Sequence, residues 1–340
     1  MAWKPLKYTN KKTTGSFGDG LNTAVPSFYI KDSELVYCNN MINTNYPALQ
    51  TRNGKSIIIS TTNYGNMVQW GVSNSTMLHM FSTNTWLANY DRNAQTWSVL
   101  TTAFRTNTAV TMRDFSFGLN KHIVAIGNST ASFPMHWDGI STSVSTFSDT
   151  NIPAPSMNNN IFTGHKGRMF WVVPNTNRIK FSALNTVTDW TSANDAGYFD
   201  VPDNNIITTM IVHNDKINVF TRTRMYQLYG SSPSDFQLVE ICKVGCANNN
   251  AITVCRDKLY WYCDGKVYRY DGTYPVAISE KLKGIIKEYR TDSFYNVVDE
   301  AVAPRNNVSR YDDRVMVKST NNLLFVYLVG DIRAVVQVTT

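Results

Sequence analysis

A repeat of short apolar strands, with a period of roughly 42 to 56 residues, runs through most of this sequence. Each repeat begins at an apolar anchor residue, and an aromatic residue follows about twelve positions later. The anchors are Leu78, Ile123, Met169, Ile217, Leu259 and Val315, and the aromatic residues are Tyr90, Trp137, Phe181, Tyr229, Tyr270 and Tyr327. A unit that recurs at this spacing predicts an array of equal supersecondary structures.

Four strands are predicted in each repeat. A further strand precedes each anchor, at 67–70, 115–117, 161–162, 206–212, 252–255 and 301–303. Another follows each aromatic residue, near 97–99, 143–146, Trp190, 236–239, 275–278 and 335–338. Polar turns at 118–121, 213–216, 255–258 and 311–314 predict tight hairpins between the first two strands. The pattern therefore predicts an all-β protein, a β-propeller of about six four-stranded blades that spans residues 61–340.

A β-sandwich, or chance periodicity in a β-rich chain, is the alternative to this interpretation. A sandwich does not account for the recurring offset of about twelve positions between anchor and aromatic residue. The Trp-Asp pair typical of WD40 blades occurs once among these landmarks, at Trp137-Asp138, so the repeat is of another type. Few residues are charged (17%), and the polar residues are mostly Asn, Thr and Ser, which favour turns and strands over helices.

Residues 1–60 lie outside the repeat and are predicted to form an extended N-terminal arm. The apolar segment 56–60 is a candidate strand for closing the ring of blades. Trp3, Tyr8 and Phe17 are large aromatic residues isolated in a polar segment, so they are the candidate subunit contacts. Packing of these three side chains onto the protein's own propeller is the alternative.

Catalytic motifs are not found in this sequence. It has no nucleophile elbow, no paired-histidine zinc motif, no phosphate-binding loop and no dinucleotide-binding glycine fingerprint. Glycoside cleavage needs two facing carboxylates, and the aspartates offer many pairs, but most of them fall at predicted turns, where capping of the backbone explains them. We expect a protein that is not an enzyme and that has no catalytic residues.

The cysteines and histidines do not form a recognisable metal site. Cys242, Cys246, Cys255 and Cys263 lack the spacing of a zinc knuckle or ribbon, although His213 is near them in the sequence. Cysteines in strands usually act as small buried apolar residues. The histidines occur singly, without a partner at ligand spacing. We therefore predict no metal and no cofactor.

The net charge of +7 and the pI near 9.0 would suit an acidic partner, but the basic residues are scattered. No signal peptide or membrane-spanning stretch is apparent in the sequence, and the five cysteines are an odd number. These features favour synthesis and folding in a reducing cytoplasm.

Several segments resemble a known family, the β-propeller hub or nozzle proteins of bacteriophage tails, which includes the packaged-DNA stabilisation proteins of short-tailed phages. The similar segments at the N-terminus are 20–26, 33–35, 40–41 and 49–54, and those further along are 178–182, 189–190, 198–201, 244–246, 258–263 and 276–279. These are loose signatures of fold and role, and they carry no site residues.

The resemblance implies a structural virion protein of the tail, made in the host bacterial cytoplasm. Such a protein forms a homo-oligomeric ring that is joined to the head-to-tail adaptor and contacts fibres or neighbouring ring proteins. The ring retains and conducts the genome during ejection, and DNA passes through its lumen. Two alternatives stay open: a receptor- or glycan-binding propeller at the tail tip, in which exposed aromatic residues stack on sugars, and a glycan-cleaving propeller enzyme.

Overall fold

The structure is a computed structural model, and in the part of the chain that it describes the regular secondary structure is almost entirely β-strand. The described residues are 19–37, 41–45, 48–51, 67–73, 76–82, 87–91, 94, 96–102, 110–117, 120–127, 134–138, 141–155, 160–282, 316–320, 323–328 and 331–337. Three single-turn 3₁₀ helices occur among them, at Ser27–Tyr29, Ser192–Asn194 and Glu280–Leu282. No helix in these residues is long and apolar enough to cross a membrane.

Among the described residues, six sheets of three or four strands follow one another along the chain, and each is a meander whose strands pair antiparallel in chain order. Four short strands precede them: β1 (Gly20–Leu21), β2 (Glu34–Leu35), β3 (Met41–Asn45) and β4 (Ala48–Thr51). Sheet 1 contains β5 (Met67–Ser73), β6 (Thr76–Ser82), β7 (Leu87–Asp91) and β8 (Thr96–Thr101). Sheet 2 contains β9 (Val110–Phe117), β10 (Asn120–Gly127), β11 (Met135–Trp137) and β12 (Ser145–Thr146).

The remaining four sheets continue the same meander. Sheet 3 contains β13 (Phe162–His165), β14 (Arg168–Val172), β15 (Arg178–Phe181) and β16 (Gly197–Asp200). Sheet 4 contains β17 (Ile207–His213), β18 (Lys216–Thr221), β19 (Met225–Tyr229) and β20 (Gln237–Cys242). Sheet 5 contains β21 (Ile252–Cys255), β22 (Lys258–Cys263), β23 (Lys266–Tyr270) and β24 (Val276–Ala277). Sheet 6 contains β25 (Met316–Thr320), β26 (Leu323–Leu328) and β27 (Asp331–Gln337).

At four of the five junctions between consecutive sheets, the first strands of the two sheets lie side by side. This contact joins β5 to β9, β9 to β13, β13 to β17, and β21 to β25. Consecutive meanders that meet along their first strands are the arrangement of propeller blades. The prediction of an all-β fold of propeller type is therefore confirmed. In the described residues, five of the sheets have four strands and the sixth has three.

Large apolar side chains fill the spaces between neighbouring sheets. Phe115 of sheet 2 stacks on Phe162 of sheet 3 with ring centroids 6.1 Å apart. Between sheets 3 and 4, Phe181 meets Phe236 edge to face, with centroids 5.2 Å apart. The ring centroid of Trp261, in sheet 5, lies 5.1 Å from that of Phe220, in sheet 4, and Trp261 is fully buried. Burial of such large rings is the main source of stability in this fold.

The aromatic residue of the repeat lies directly opposite the anchor in sheets 2 and 5. Trp137 lies opposite Ile123, Tyr270 lies opposite Leu259, and both aromatic side chains are buried. In sheet 4, Leu228 occupies the place opposite Ile217, and the next residue, Tyr229, is exposed. Neighbouring strand residues face opposite sides of a sheet, which explains why Tyr229 is exposed while Leu228 is buried.

Trp190 was predicted to lie in the last strand of its repeat, and this is wrong. The last strand of sheet 3 is β16, and Trp190 lies in the loop before it. Its indole Nε1 donates to the carbonyl of Val187 at 2.9 Å, and its ring packs against Trp171 with centroids 6.2 Å apart. The loop folds back because it buries this ring between sheets 2 and 3.

The last repeat differs from its prediction in the strands that the structure describes. The segment that begins near Val315 was predicted to be a second strand, but β25 is the first described strand of sheet 6 and lies beside β21, the first strand of sheet 5. Tyr327 lies in the second described strand of sheet 6. The candidate preceding strand at 301–303 lies outside the described residues.

The N-terminal hairpin lies beside the far end of the array. Strand β3 pairs with β4 and contacts β27, the last strand of sheet 6. The candidate closing strand at 56–60 lies outside the described residues. Within the part of the chain that the structure describes, strand β3 is the N-terminal element that meets the last sheet.

Candidate interaction surface

The three predicted subunit contacts, Trp3, Tyr8 and Phe17, lie outside the described residues. The structure does describe the next part of the predicted arm, residues 19–37, which we call the arm segment. The arm segment contains exposed aromatic side chains and an ion pair with the body of the protein. These two features define the candidate interaction surface.

The arm segment is held together by its own hydrogen bonds. Its two ends pair in parallel, with Gly20 opposite Glu34 and Leu21 opposite Leu35. The amide of Asn22 donates to the carbonyl of Leu35 at 2.9 Å, which extends the pair. The arm segment is therefore a closed loop rather than an extended strand.

The arm segment is attached to the body at Lys281, in the 3₁₀ helix after sheet 5. The amide of Thr23 donates to the carbonyl of Lys281 at 2.8 Å. The Nζ of Lys281 lies 2.8 Å from Oε1 of Glu34 and also donates to the carbonyl of Asp19 at 3.3 Å. These contacts, which we call the latch, join residues that are far apart in the sequence.

Glu34 is the polar centre of the latch. It is the one buried residue of the arm segment, and its side chain is 3% exposed. The ammonium of Lys281, the amide of Asn22 and the backbone amide of Lys31 all donate to the carboxylate. In order of size, these three donors lower the pKa of Glu34 to about 2. The carboxylate is therefore ionised across the physiological range.

The aromatic side chains of the arm segment point to solvent. Phe28, Tyr29 and Tyr37 are 76%, 72% and 77% exposed, and the rings of Phe28 and Tyr29 are 4.4 Å apart. Val25 and Val36 are also exposed. We call these five residues the arm patch. Exposed aromatic rings are enriched at protein interfaces, where they bury a large area at a low cost in side-chain entropy.

The sequence interpretation missed the arm patch. Trp3, Tyr8 and Phe17 were selected because they are isolated aromatic residues in a polar segment. Phe28 and Tyr29 adjoin each other and Ile30, and Tyr37 follows two apolar residues, so none of these three rings is isolated in the sequence. The criterion of isolation therefore did not select them.

Two histidines occupy equivalent places at one end of the sheets. His165 and His213 each end the first strand of a sheet, and each reaches the hairpin of the next sheet. His165 Nδ1 lies 4.0 Å from Asp215 Oδ1, and His213 Nε2 lies 2.8 Å from the carbonyl oxygen of Asp257. These contacts link sheet 3 to sheet 4 and sheet 4 to sheet 5. Sequence spacing could not reveal them because the partner lies one repeat away.

Burial affects the protonation of His165. Desolvation by burial lowers its pKa from 6.5, and Lys166 acts in the same direction. Asp215 opposes the shift by favouring the charged ring. The neutral imidazole is therefore favoured at neutral pH.

One cluster of carboxylates bears on the alternative of a glycan-cleaving enzyme. Arg224 lies 4.0 Å from Asp203 and also pairs with Glu240. Desolvation, followed by the charge of Asp203, raises the pKa of the nearby Tyr226 to about 12, so the phenol stays protonated. Asp203 also accepts from the hydroxyl of Thr221 and from the amide of Asn205. These bonds hold the loop before β17 against sheet 4, so a structural role accounts for these carboxylates.

Cys242, Cys246 and Cys255 are buried in the core between sheets 4 and 5, and Cys255 and Cys263 lie in the predicted strands. Among the residues that the structure describes, no group of three or more His, Cys, Asp or Glu side chains is placed to hold a metal ion.

Comparisons with known proteins return likenesses to solved structures only. No protein-family model matches the sequence, and no curated protein matches it. The extracellular domain of a putative one-component system from B. thetaiotaomicron is 13% identical, covering 78% of this chain and 32% of that chain, with a TM-score of 0.44. Raptor from Chaetomium thermophilum is 8% identical, covering 80% of this chain and 23% of that one, with a TM-score of 0.47.

A chain from a nidogen/laminin complex is 10% identical, covering 58% of this chain and 71% of that one, with a TM-score of 0.37. This protein spans about a third of the length of the one-component system chain and about a quarter of the Raptor chain. TM-scores below 0.5 carry no functional argument. The fold and the arm together define a β-propeller-type protein with an exposed aromatic surface.

Proposed function

We propose that this protein is a structural component of a bacteriophage tail, where it forms part of a ring joined to the head-to-tail adaptor. The ring retains the genome and conducts it during ejection, and the protein resides in the virion. The arm patch is the surface that contacts neighbouring tail proteins. The resemblance of the sequence to tail hub and nozzle proteins supports this role.

The observation that carries the proposal is the position of the arm patch. Its three aromatic rings lie on a loop that is fixed to the body by the latch, so they are held outside the core. Scattered single apolar residues on a surface need no explanation, but several aromatic side chains within one short loop indicate a contact site. A structural ring protein needs such contacts on the outside of rigid blades.

Native mass spectrometry of the purified protein, with and without the adaptor and neighbouring tail proteins of the same phage, tests the proposal. The expected result is a closed homo-oligomer or a complex of defined stoichiometry. The combined variant Phe28→Ser/Tyr29→Ser/Tyr37→Ser should lose this assembly. Exclusively monomeric protein in the presence of every tail partner would overturn the proposal.

A matched control carries the same number of substitutions at exposed apolar residues away from the arm. Tyr274, Val276 and Val239 are 63%, 49% and 43% exposed, in or beside the outermost strands of sheets 4 and 5. Replacing these three by Ser should leave the assembly intact. Equal loss in both variants would show that general surface polarity, and not the arm patch, controls association.

The receptor-binding alternative makes a different prediction. A glycan-binding propeller should give a saturable signal on a glycan array or in a cell-adsorption assay as an isolated protein. The proposed structural role predicts no such signal. A saturable glycan signal that survives loss of the arm patch would favour the receptor-binding function instead.

A further inference from the structure

We propose that the arm segment is exchanged between copies of this protein, so that Glu34 of one copy binds Lys281 of the next. The inference rests on the proposed function, because the exchanged arm would form the contact between subunits of the proposed ring. In this arrangement the arm segment that binds Lys281 belongs to a second copy of this chain. Three features of the arm segment support this exchange.

The first feature is that the arm segment is a self-contained unit. The β1–β2 pair, the bond from Asn22 to Leu35 and the bond from the Ser33 hydroxyl to Asp19, at 2.6 Å, are all internal to it. Two of the three donors to the Glu34 carboxylate, Asn22 and Lys31, are internal as well. The segment therefore keeps its shape and most of its hydrogen bonds when it leaves one body and docks on another.

The second feature is the nature of the latch. It consists of an ion pair and hydrogen bonds that converge on Lys281, and the arm segment inserts no apolar side chain into the core. The same bonds form with equal geometry when the lysine belongs to another copy. Breaking the intramolecular latch exposes no apolar core, so the exchange has a small energetic cost.

The third feature is the exposure of the arm patch while the latch is closed. Phe28, Tyr29 and Tyr37 remain in water when Glu34 is bound to Lys281 in the same chain. Because β1 and β2 run parallel, residues 22–25 and 36–37 leave the pair at one end, which places apolar residues of both stretches near the docking point. An arm that crosses to a neighbour brings its patch to the junction of two bodies, where the rings can be buried.

Cross-linking of isotopically mixed protein tests the exchange without any mutation. Unlabelled and ¹⁵N-labelled protein are combined when dilute, concentrated to allow assembly, and treated with a water-soluble carbodiimide, which joins a carboxylate to an amine in direct contact. Glu34 and Lys281, 2.8 Å apart, are the target pair. Exchange predicts that the cross-linked peptides from the oligomer fraction include many pairs with one labelled and one unlabelled peptide.

The chain supplies an internal control for this measurement. Lys266 Nζ and Glu280 Oε1 are also 2.8 Å apart, and both side chains are about half exposed. Lys266 begins the third strand of sheet 5 and Glu280 follows its last strand, so their cross-link should always join peptides of the same isotope. A Glu34–Lys281 cross-link that likewise contains one isotope only would overturn the exchange.

Charge reversal gives a second, independent test. Glu34→Lys alone and Lys281→Glu alone each place like charges at the latch, so neither variant should assemble by itself. When the two variants are mixed, the arm of each matches the body of the other, and assembly should return in light scattering after size-exclusion chromatography. A mixture that stays monomeric would contradict the exchange, as would assembly of each variant alone.

The outcomes separate this inference from the proposed function. One outcome is wild-type protein that assembles with tail partners and yet gives cross-links between peptides of the same isotope alone. That result overturns the exchange and is compatible with the proposed ring. Wild-type protein that is monomeric under all conditions overturns both.

Discussion

Sheets 3 to 5 and the arm segment represent two opposite ways of attaching a part to a protein. The sheets are joined by buried rings such as Phe181, Phe220 and Trp261. The arm segment buries a carboxylate, Glu34, and leaves its rings outside. The first mode fixes the sheets permanently, because separating them would expose a large apolar area. The second fixes position but can be reversed without unfolding the body.

The largest expected effect comes from removing a ring between two sheets. Trp261 is fully buried against Phe220, and its indole donates to the carbonyl of Gly245 at 2.8 Å. Trp261→Ala should lower the free energy of unfolding by about 3–5 kcal/mol, measured by urea denaturation. Phe28→Ala in the arm should change it by less than about 0.5 kcal/mol. Similar losses in the two variants would remove the distinction between sheets and arm.

The next largest loss of stability should come from a steric clash at a glycine. A Cβ added at Gly245 would lie 2.1 Å from backbone atoms of Arg222, in the turn between β18 and β19. Backbone atoms cannot rotate away as the end of a side chain can, so Gly245→Ala should destabilise the protein by about 1–3 kcal/mol. The denaturant midpoint should fall accordingly. An unchanged midpoint would mean that the turn shifts freely, and that sheets 4 and 5 are less firmly joined than the core suggests.

Acidification should weaken the contact between sheets 3 and 4. The pKa of His165 is lowered from 6.5 by burial, so below that pH the unfolded chain binds more protons than the folded protein. His165 therefore makes its full contribution to the free energy of unfolding above pH 6.5. This contribution is lost as the pH falls towards the pKa of His165 in the folded protein. Denaturation at pH 7.5 and pH 5.5 should differ less for His165→Gln than for the wild type. The same difference in both proteins would contradict this assignment.

The smallest effect on global stability should come from opening the latch. Lys281→Ala removes the ion pair to Glu34, but the backbone bond from Thr23 to residue 281 can still form. The denaturant midpoint should therefore change little, while hydrogen exchange at the amides of the arm segment becomes faster. A large loss of global stability would show that the arm is an integral part of the core.

Several features of the body could be predicted because strand periodicity and buried aromatic residues are visible in the sequence. Ile123 with Trp137 and Leu259 with Tyr270 form cross-strand pairs, which is why an aromatic residue follows each of these anchors at a similar spacing. Trp190 was misplaced because its burial depends on a loop folding over Trp171, a long-range contact that a local pattern does not record.

The latch was harder to predict from the sequence. Glu34 and Lys281 are ordinary surface residue types, and nothing in their local sequence connects them. Their pairing depends on the whole array bringing the end of sheet 5 back to the arm. Aromatic residues in a polar segment predicted a contact region in the arm, and the residues selected for it lie outside the described part of the chain.

The hydrogen bonds between Thr23 and Lys281 have a mechanical consequence. They connect residues 258 positions apart, and sheets 1 to 5 lie between the two. A force applied to the arm therefore acts on the bonds to Lys281, beside sheet 5, before it stretches the chain that leads to sheet 1. Under force from a neighbouring molecule, the latch would break before any of the sheets unfolds.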